Sequence, residues 1–89
     1  MKPNYGYVYN DRGAMYLETQ RYAEALKDFD TAIALNPKYP NPYQGRAMVY
    51  EALADRPRAL ENYYQSCQLG QRGCAKLVEL LKRVPQKAK

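Results

Sequence analysis

The fold is decided by the stretch Tyr9-Asn10-Asp11-Arg12-Gly13-Ala14-Met15-Tyr16, which returns 34 residues later as Tyr43-Gln44-Gly45-Arg46-Ala47-Met48-Val49-Tyr50. Both tyrosines, the arginine and a small residue after the arginine keep their places without a gap. The same shift aligns Ala25-Leu26 with Ala59-Leu60. A fixed internal period of this length is typical of repeat proteins, in which each copy is one supersecondary unit.

Each copy has the pattern of two helices. In the first copy, apolar and small residues recur at helical spacing up to Leu17, and Thr19–Arg21 interrupts them. A broad apolar face then runs over 22–35 and ends at Asn36-Pro37, because proline disfavours a helical residue before it. In the second copy we expect helices over about 41–53 and from Pro57 onward, with Asp55 as a cap of the later one.

A fifth helix is predicted from about Cys74 to the residue before Pro85. Gly70 and Gly73 separate it from the second copy. Its apolar residues recur at spacings of three and four, so they predict the face that packs: Cys74, Leu77, Val78, Leu81 and Val84.

The two copies are similar to tetratricopeptide repeats, whose period is also 34. The residues that carry the resemblance are Tyr9, Gly13, Tyr16, Ala25, Phe29, Ala32 and Pro37. Arg12 and Arg46 depart from the family pattern, which favours leucine there. At the Cys67–Cys74 turn the chain also resembles, more weakly, the bridged turns of Sel1-like repeats.

The resemblance implies an all-α fold, a right-handed α-solenoid of antiparallel helix pairs with five helices. The chain divides into an N-terminal extension (1–5), two repeats (6–39 and 40–73), a capping helix (74–84) and a basic tail (85–89). Gly13 is expected where the helices of the first pair approach closely.

The family also implies a function, which is to hold a segment of another protein in a concave groove lined by the first helix of each pair. Carried over position by position, the groove residues are Tyr7, Asn10, Asp11, Ala14, Leu17, Glu18, Asn41, Gln44, Met48 and Glu51. The alternative for any one of them is an ordinary solvated helix face, and for Leu17 and Met48 it is the core.

One sub-type of the family grips the C-terminal carboxylate of a chaperone with lysine, asparagine and arginine. The matching positions here are Asn10, Ala14, Gly45, Ala75 and Glu79, and none of them is basic. A chaperone tail is therefore not the expected ligand. The groove carboxylates favour a segment with some positive charge instead.

The composition argues against catalysis. The 89 residues contain no histidine, one serine and two cysteines, so histidine-based nucleophiles and Cys/His zinc sites are excluded. No glycine-rich phosphate loop occurs either. We therefore expect a non-catalytic protein without cofactor or metal.

The net charge of +5 is concentrated at the C-terminal end, because residues 1–70 hold eight basic and eight acidic side chains. The basic patch consists of Arg72, Lys76, Lys82, Arg83, Lys87 and Lys89. A solvated end of the molecule explains it, and contact with nucleic acid or an anionic surface is the alternative function. Nucleic acid is not the expected partner, because no interleaved aromatic residues accompany these charges.

Two further features leave alternatives open. Cys67 and Cys74 could form a disulfide across the turn, or stay free in a reducing cytoplasm, and we expect free thiols. No apolar run is long enough to span a membrane. We expect a cytoplasmic protein, with a domain of a larger or exported protein as the alternative. The first pair has no helix before it to cover Tyr5, Tyr7 and Val8. An apolar patch there would make the chain a marginal monomer, a homodimer assembled through that face, or part of a longer array.

Overall fold

The computed structural model describes residues 5–70 and 73–82, and this part of the chain is folded into five helices with no strand. The helices are α1 (Tyr5–Glu18), α2 (Tyr22–Leu35), α3 (Asn41–Ala52), α4 (Arg56–Gly70) and α5 (Cys74–Lys82). α1 pairs with α2 and α3 pairs with α4, while α2 contacts α3, α4 contacts α5 and α1 contacts α3. The predicted all-helical repeat fold is confirmed.

The turns inside the two pairs are copies of each other. Gln20 and Ala54 adopt left-handed backbone, with φ of 64° and 63°. The following amides donate back to the preceding helix, from Arg21 to the Tyr16 carbonyl at 2.7 Å and from Asp55 to the Tyr50 carbonyl at 2.8 Å. This arrangement satisfies carbonyls that the end of a helix leaves without partners.

Asp55 caps α4 as the sequence predicted. Its Oδ1 accepts the backbone N–H of Arg58 at 3.3 Å, and its Oδ2 lies 2.7 Å from the Arg58 guanidinium. The hydrogen bond from the Arg58 side chain is the main reason why the pKa of Asp55 lies below its usual value. The charge is also favourable there, because it stands at the positive end of the helix dipole.

The two arginines that depart from the family pattern join the helices of each pair. Arg12 donates two hydrogen bonds to Asp28, at 2.7 and 3.0 Å, and the Asp28 side chain is only 5% exposed. Arg46 donates to Asn62 at 2.9 Å and, across the repeat boundary, to Asp30 at 2.8 Å. A leucine could make none of these charge-assisted bonds.

The core consists of two small clusters. Ala25, Phe29 and Val49 are buried between the first pair and α3. Ala47, Ala59, Tyr63 and Leu80 form the second cluster, between the second pair and α5. The predicted close approach at Gly13 involves a side chain, because a Cβ built there would lie 2.8 Å from the Phe29 ring.

The packing face predicted for α5 is wrong in part. Leu80 is buried at 4% exposure and Leu77 packs beside it, whereas Val78 and Leu81 are 49% and 53% exposed. Relative to the prediction, α5 is rotated about its axis by one residue, or roughly 100°. A neighbouring face of the helix therefore packs against α4. Val84, the basic tail and residues 1–4 of the N-terminal extension lie outside the described residues.

The structure joins Cys67 and Cys74 in a disulfide, with their Cα atoms 4.6 Å apart. The sequence favoured two free thiols, so the structure reverses that preference. The bridge connects the last turn of α4 to the first turn of α5. Gly73, the residue before Cys74, is closely packed, because a Cβ at this position would lie 2.7 Å from the Tyr63 carbonyl oxygen.

Candidate partner-binding groove

A concave surface lies along α1 and α3, the first helices of the two pairs, and α5. Two adjoining cavities, of about 230 and 470 Å³, lie there and share Leu17, Gln44 and Met48. We call them together the groove. The first cavity is lined by Asn10, Ala14, Leu17, Glu18, Phe29, Asn41, Gln44, Gly45 and Met48, and the second by Leu17, Gln44, Met48, Glu51, Ala52, Tyr63 and Lys76.

All the groove residues expected from the family line these cavities except Tyr7 and Asp11. Tyr7 packs edge-on against Tyr39, with ring centroids 4.6 Å apart, so its ring covers the loop between the repeats. Asp11 is exposed but does not line either cavity. Both were predicted as groove residues, and the structure places both beside the groove.

The apolar floor of the groove is formed by side chains of contrasting burial. Leu17 is half-buried and packs against the first core cluster, whereas 43% of Met48 is exposed. Leu17 therefore belongs both to the edge of the core and to the groove, whereas Met48 is open to the groove. Phe29 reaches the floor because two glycines make room for its ring. A Cβ at Gly13 would crowd the ring, and one at Gly45 would come closer still.

Amide groups lie along one side of this floor. Asn10 and Gln44 occupy equivalent positions on α1 and α3, 34 residues apart, and Asn41 begins α3. The Asn10 amide donates to the Tyr39 hydroxyl at 3.4 Å, a long bond that holds the side chain only loosely. Side-chain amides both donate and accept, so they suit the backbone of an extended chain.

Glu51 is the most firmly held charge in the groove. Its Oε1 accepts the Tyr63 hydroxyl at 2.9 Å, and its Oε2 lies 3.7 Å from the Lys76 ammonium. The Tyr63 side chain is fully buried, and this burial is the main cause of a raised Tyr63 pKa, with the Glu51 hydrogen bond as the next cause. Tyr63 therefore stays a neutral donor, and it fixes the direction of the carboxylate.

Four of the lining residues were not predicted from the sequence as groove positions: Phe29, Ala52, Tyr63 and Lys76. Gly45 was considered only as a position of the chaperone-binding sub-type. Phe29 and Tyr63 are buried in the core and also line the groove. Lys76 was assigned to the basic patch. The repeat period could have placed Lys76 in the groove. The 34-residue shift that relates α3 to α1 also relates α5 to α3, so α5 lines the groove as α1 and α3 do.

The basic patch is described only at Lys76 and Lys82; Arg72, Arg83, Lys87 and Lys89 lie outside the described residues. Lys76 lies 3.7 Å from both Glu51 and Glu79, so its charge is partly offset. Within residues 5–70 and 73–82, no group of three acidic, cysteine or histidine side chains is arranged to hold a metal. The helices of that part are too short or too polar to cross a membrane.

Comparison with known proteins agrees with this architecture. Residues 6–39 match the family model described as "Tetratricopeptide repeat". "Hsp70-Hsp90 organizing protein 2" of Arabidopsis thaliana is 31% identical over 67 residues, or 75% of the chain. "Tetratricopeptide repeat protein 28" of Mus musculus and of Homo sapiens is 41% and 39% identical over 69 residues, or 70% of the chain. The chain spans 12% of the plant protein and 3% of each animal protein.

Proposed function

The chain contains a tetratricopeptide repeat, the family that its sequence predicted, and on this basis we propose that it is a non-catalytic module that holds a segment of a partner protein in the groove. Interaction between proteins is the function that this family and the matching relatives support in general. That this groove is the binding surface is our proposal.

The exposed Met48 side chain is the observation that carries the proposal. It lies at the junction of the two cavities, beside Leu17 and Gln44. A large apolar side chain in a recess, with a few polar groups around it, is the usual composition of a binding site, because covering it removes apolar surface from water. The length of the groove along three helices suits an extended segment.

The plant relative is named for Hsp70 and Hsp90. We do not extend that partner to this chain. The positions at which the family grips a chaperone carboxylate hold Asn10, Ala14, Gly45, Ala75 and Glu79 here, which supply no lysine or arginine. None of these five residues supplies the positive charge that would pair with a free carboxylate.

The proposal is tested by capturing partners on immobilised protein at low and high salt. Two variants carry the same substitution at different places: Met48→Glu alters the groove, and Met15→Glu alters a methionine that is 62% exposed on α1 and lines neither cavity. Asn10→Ala is combined with Met48→Glu in a further sample. A protein that is retained at high salt, lost with Met48→Glu and kept with Met15→Glu supports the groove.

A capture that ignores Met48→Glu would contradict the proposal. If the captured material is nucleic acid that salt releases, the basic patch is the working surface. If the captured protein is this chain itself, the function is self-association. Val8 and Met15, exposed by 60% and 62% on α1, are the observation that favours self-association as the second candidate.

A further inference from the structure

The two cavities of the groove differ in their charged lining residues. Glu18 lines the first cavity, and Glu51 and Lys76 line the second. Glu18 is the last residue of α1, and Glu51 lies in the last turn of α3. Both carboxylates therefore add to the negative ends of helix dipoles, where an acidic side chain is unfavourable for the helix itself.

The two carboxylates differ in what offsets them. Among the described residues, no cation lies within ion-pair distance of Glu18. Glu51 has Lys76 at 3.7 Å, beyond direct hydrogen-bond distance, and Lys76 is shared with Glu79. Glu18 is therefore uncompensated by any described residue in the first cavity, whereas in the second cavity the charge of Lys76 is divided between Glu51 and Glu79. A cation from outside can pair with either groove carboxylate.

The apolar floor lies between these charges. Leu17, Gln44 and Met48 belong to both cavities, whereas Glu18 belongs only to the first and Glu51 only to the second. An occupant that runs along the groove therefore meets a carboxylate, then an apolar recess, then a second carboxylate. The order of these groups specifies the order of side chains in the occupant.

We infer that the occupant is an extended peptide segment in which a large apolar side chain is flanked on both sides by lysine or arginine. The apolar side chain covers Leu17 and Met48, and the flanking cations pair with Glu18 and Glu51. Lys76 competes with the second of these cations for Glu51. The inference rests on the proposed function and adds the chemistry of the partner to it.

The test uses a library of random twelve-residue peptides displayed on phage, selected on the wild-type protein and counter-selected on Met48→Glu. The inference predicts enriched sequences with leucine, isoleucine, methionine or phenylalanine between lysines or arginines. Enriched sequences that are neutral or acidic overturn the inference and leave the proposed function standing. If no enriched peptide requires Met48 for binding, the proposed function itself is contradicted.

Single substitutions then test the charges, with the dissociation constant of one enriched peptide measured by fluorescence anisotropy. Glu18→Gln and Glu51→Gln each weaken binding by about two- to fivefold, as expected for exposed charge pairs. Glutamine at residue 51 keeps an acceptor for Tyr63. Lys76→Met tightens binding, because it removes the competing cation.

Glu61→Gln is the matched control, because Glu61 is an exposed α4 residue that lines neither cavity of the groove. Its dissociation constant stays at the wild-type value. Circular dichroism confirms that each variant is folded. Equal weakening by Glu61→Gln, or weaker binding with Lys76→Met, overturns the assignment, because general attraction to the protein would then explain the preference for cations.

Discussion

Gln20 and Ala54 stand 34 residues apart and adopt the same left-handed backbone, with φ of 64° and 63°. Each closes the turn between the two helices of a pair. Neither is glycine, although glycine is the residue that adopts this conformation without a steric penalty. Both repeats therefore carry the same local strain, and the regular turn geometry is imposed by packing of the helices.

The first prediction concerns this strain. Gln20→Gly and Ala54→Gly should each raise the free energy of unfolding by about 0.5–1 kcal/mol, because the left-handed backbone no longer clashes with a Cβ. Ala23→Gly, on the exposed face of α2, is the matched control and should lower it by about the same amount. Urea unfolding measures all three, and a loss of stability in both turn variants would refute the strain.

The second prediction separates the two arginines. Arg12→Leu restores the residue that the family favours but leaves the buried Asp28 carboxylate without its cation, so it should cost about 2 kcal/mol or more. Arg46→Leu leaves only the neutral Asn62 amide and the exposed Asp30, and should cost about 1 kcal/mol.

A double variant checks this explanation. Arg12→Leu combined with Asp28→Leu should recover most of the lost stability, because an apolar pair replaces the ion pair without leaving a buried charge. Thermal and urea unfolding give the values. Equal costs for Arg12→Leu and Arg46→Leu would show that the burial of Asp28 does not determine the difference.

The third prediction concerns the ring of Phe29, which lies between two glycines. Gly45→Ala should lower stability by about 1–3 kcal/mol, because its methyl group overlaps the buried ring, and this exceeds the gain from alanine in a helix. Gly13→Leu should lower it by more than ~2 kcal/mol. In a protein that carries Phe29→Leu, Gly45→Ala should cost less stability, because the ring that its methyl group overlaps is absent. Unchanged thermal midpoints for Gly45→Ala and Gly13→Leu would place the ring elsewhere.

The fourth prediction concerns the bridge between α4 and α5. Reduction should add two hydrogens to the intact mass. It should also destabilise the protein by roughly 2.5 kcal/mol, the value for so short a loop in the chain-entropy model. Cys67→Ser with Cys74→Ser should match the reduced protein. An unchanged mass would mean that both thiols are free, and would contradict the bridge.

The helices were predictable from local signals. Asn36-Pro37, Pro57, Gly70 and Gly73 mark the ends of elements, and the 34-residue period fixes how the helices pair. The family positions then gave most of the groove lining. The helix ends and the pairing follow from sequence spacing, whereas the groove positions follow from the resemblance to the family.

The remaining features depend on tertiary packing. On α5, apolar residues occur on two neighbouring faces, so spacing could not decide whether Leu80 or Leu81 is buried. Gly45 takes the position that Asp11 holds in the first repeat, and only contact with Phe29 from the previous pair explains it. The hydrogen bond between Tyr63 and Glu51 likewise joins residues that no motif connects.

Site-specific photo-crosslinking tests most directly whether the groove holds the partner. A benzoylphenylalanine placed at Met48 in one protein and at Met15 in another is irradiated in cell extract. We predict a crosslink from residue 48 to one short segment of a partner protein, and none to that partner from residue 15. Equal crosslinking from both positions, or crosslinking from residue 15 alone, would contradict binding in the groove.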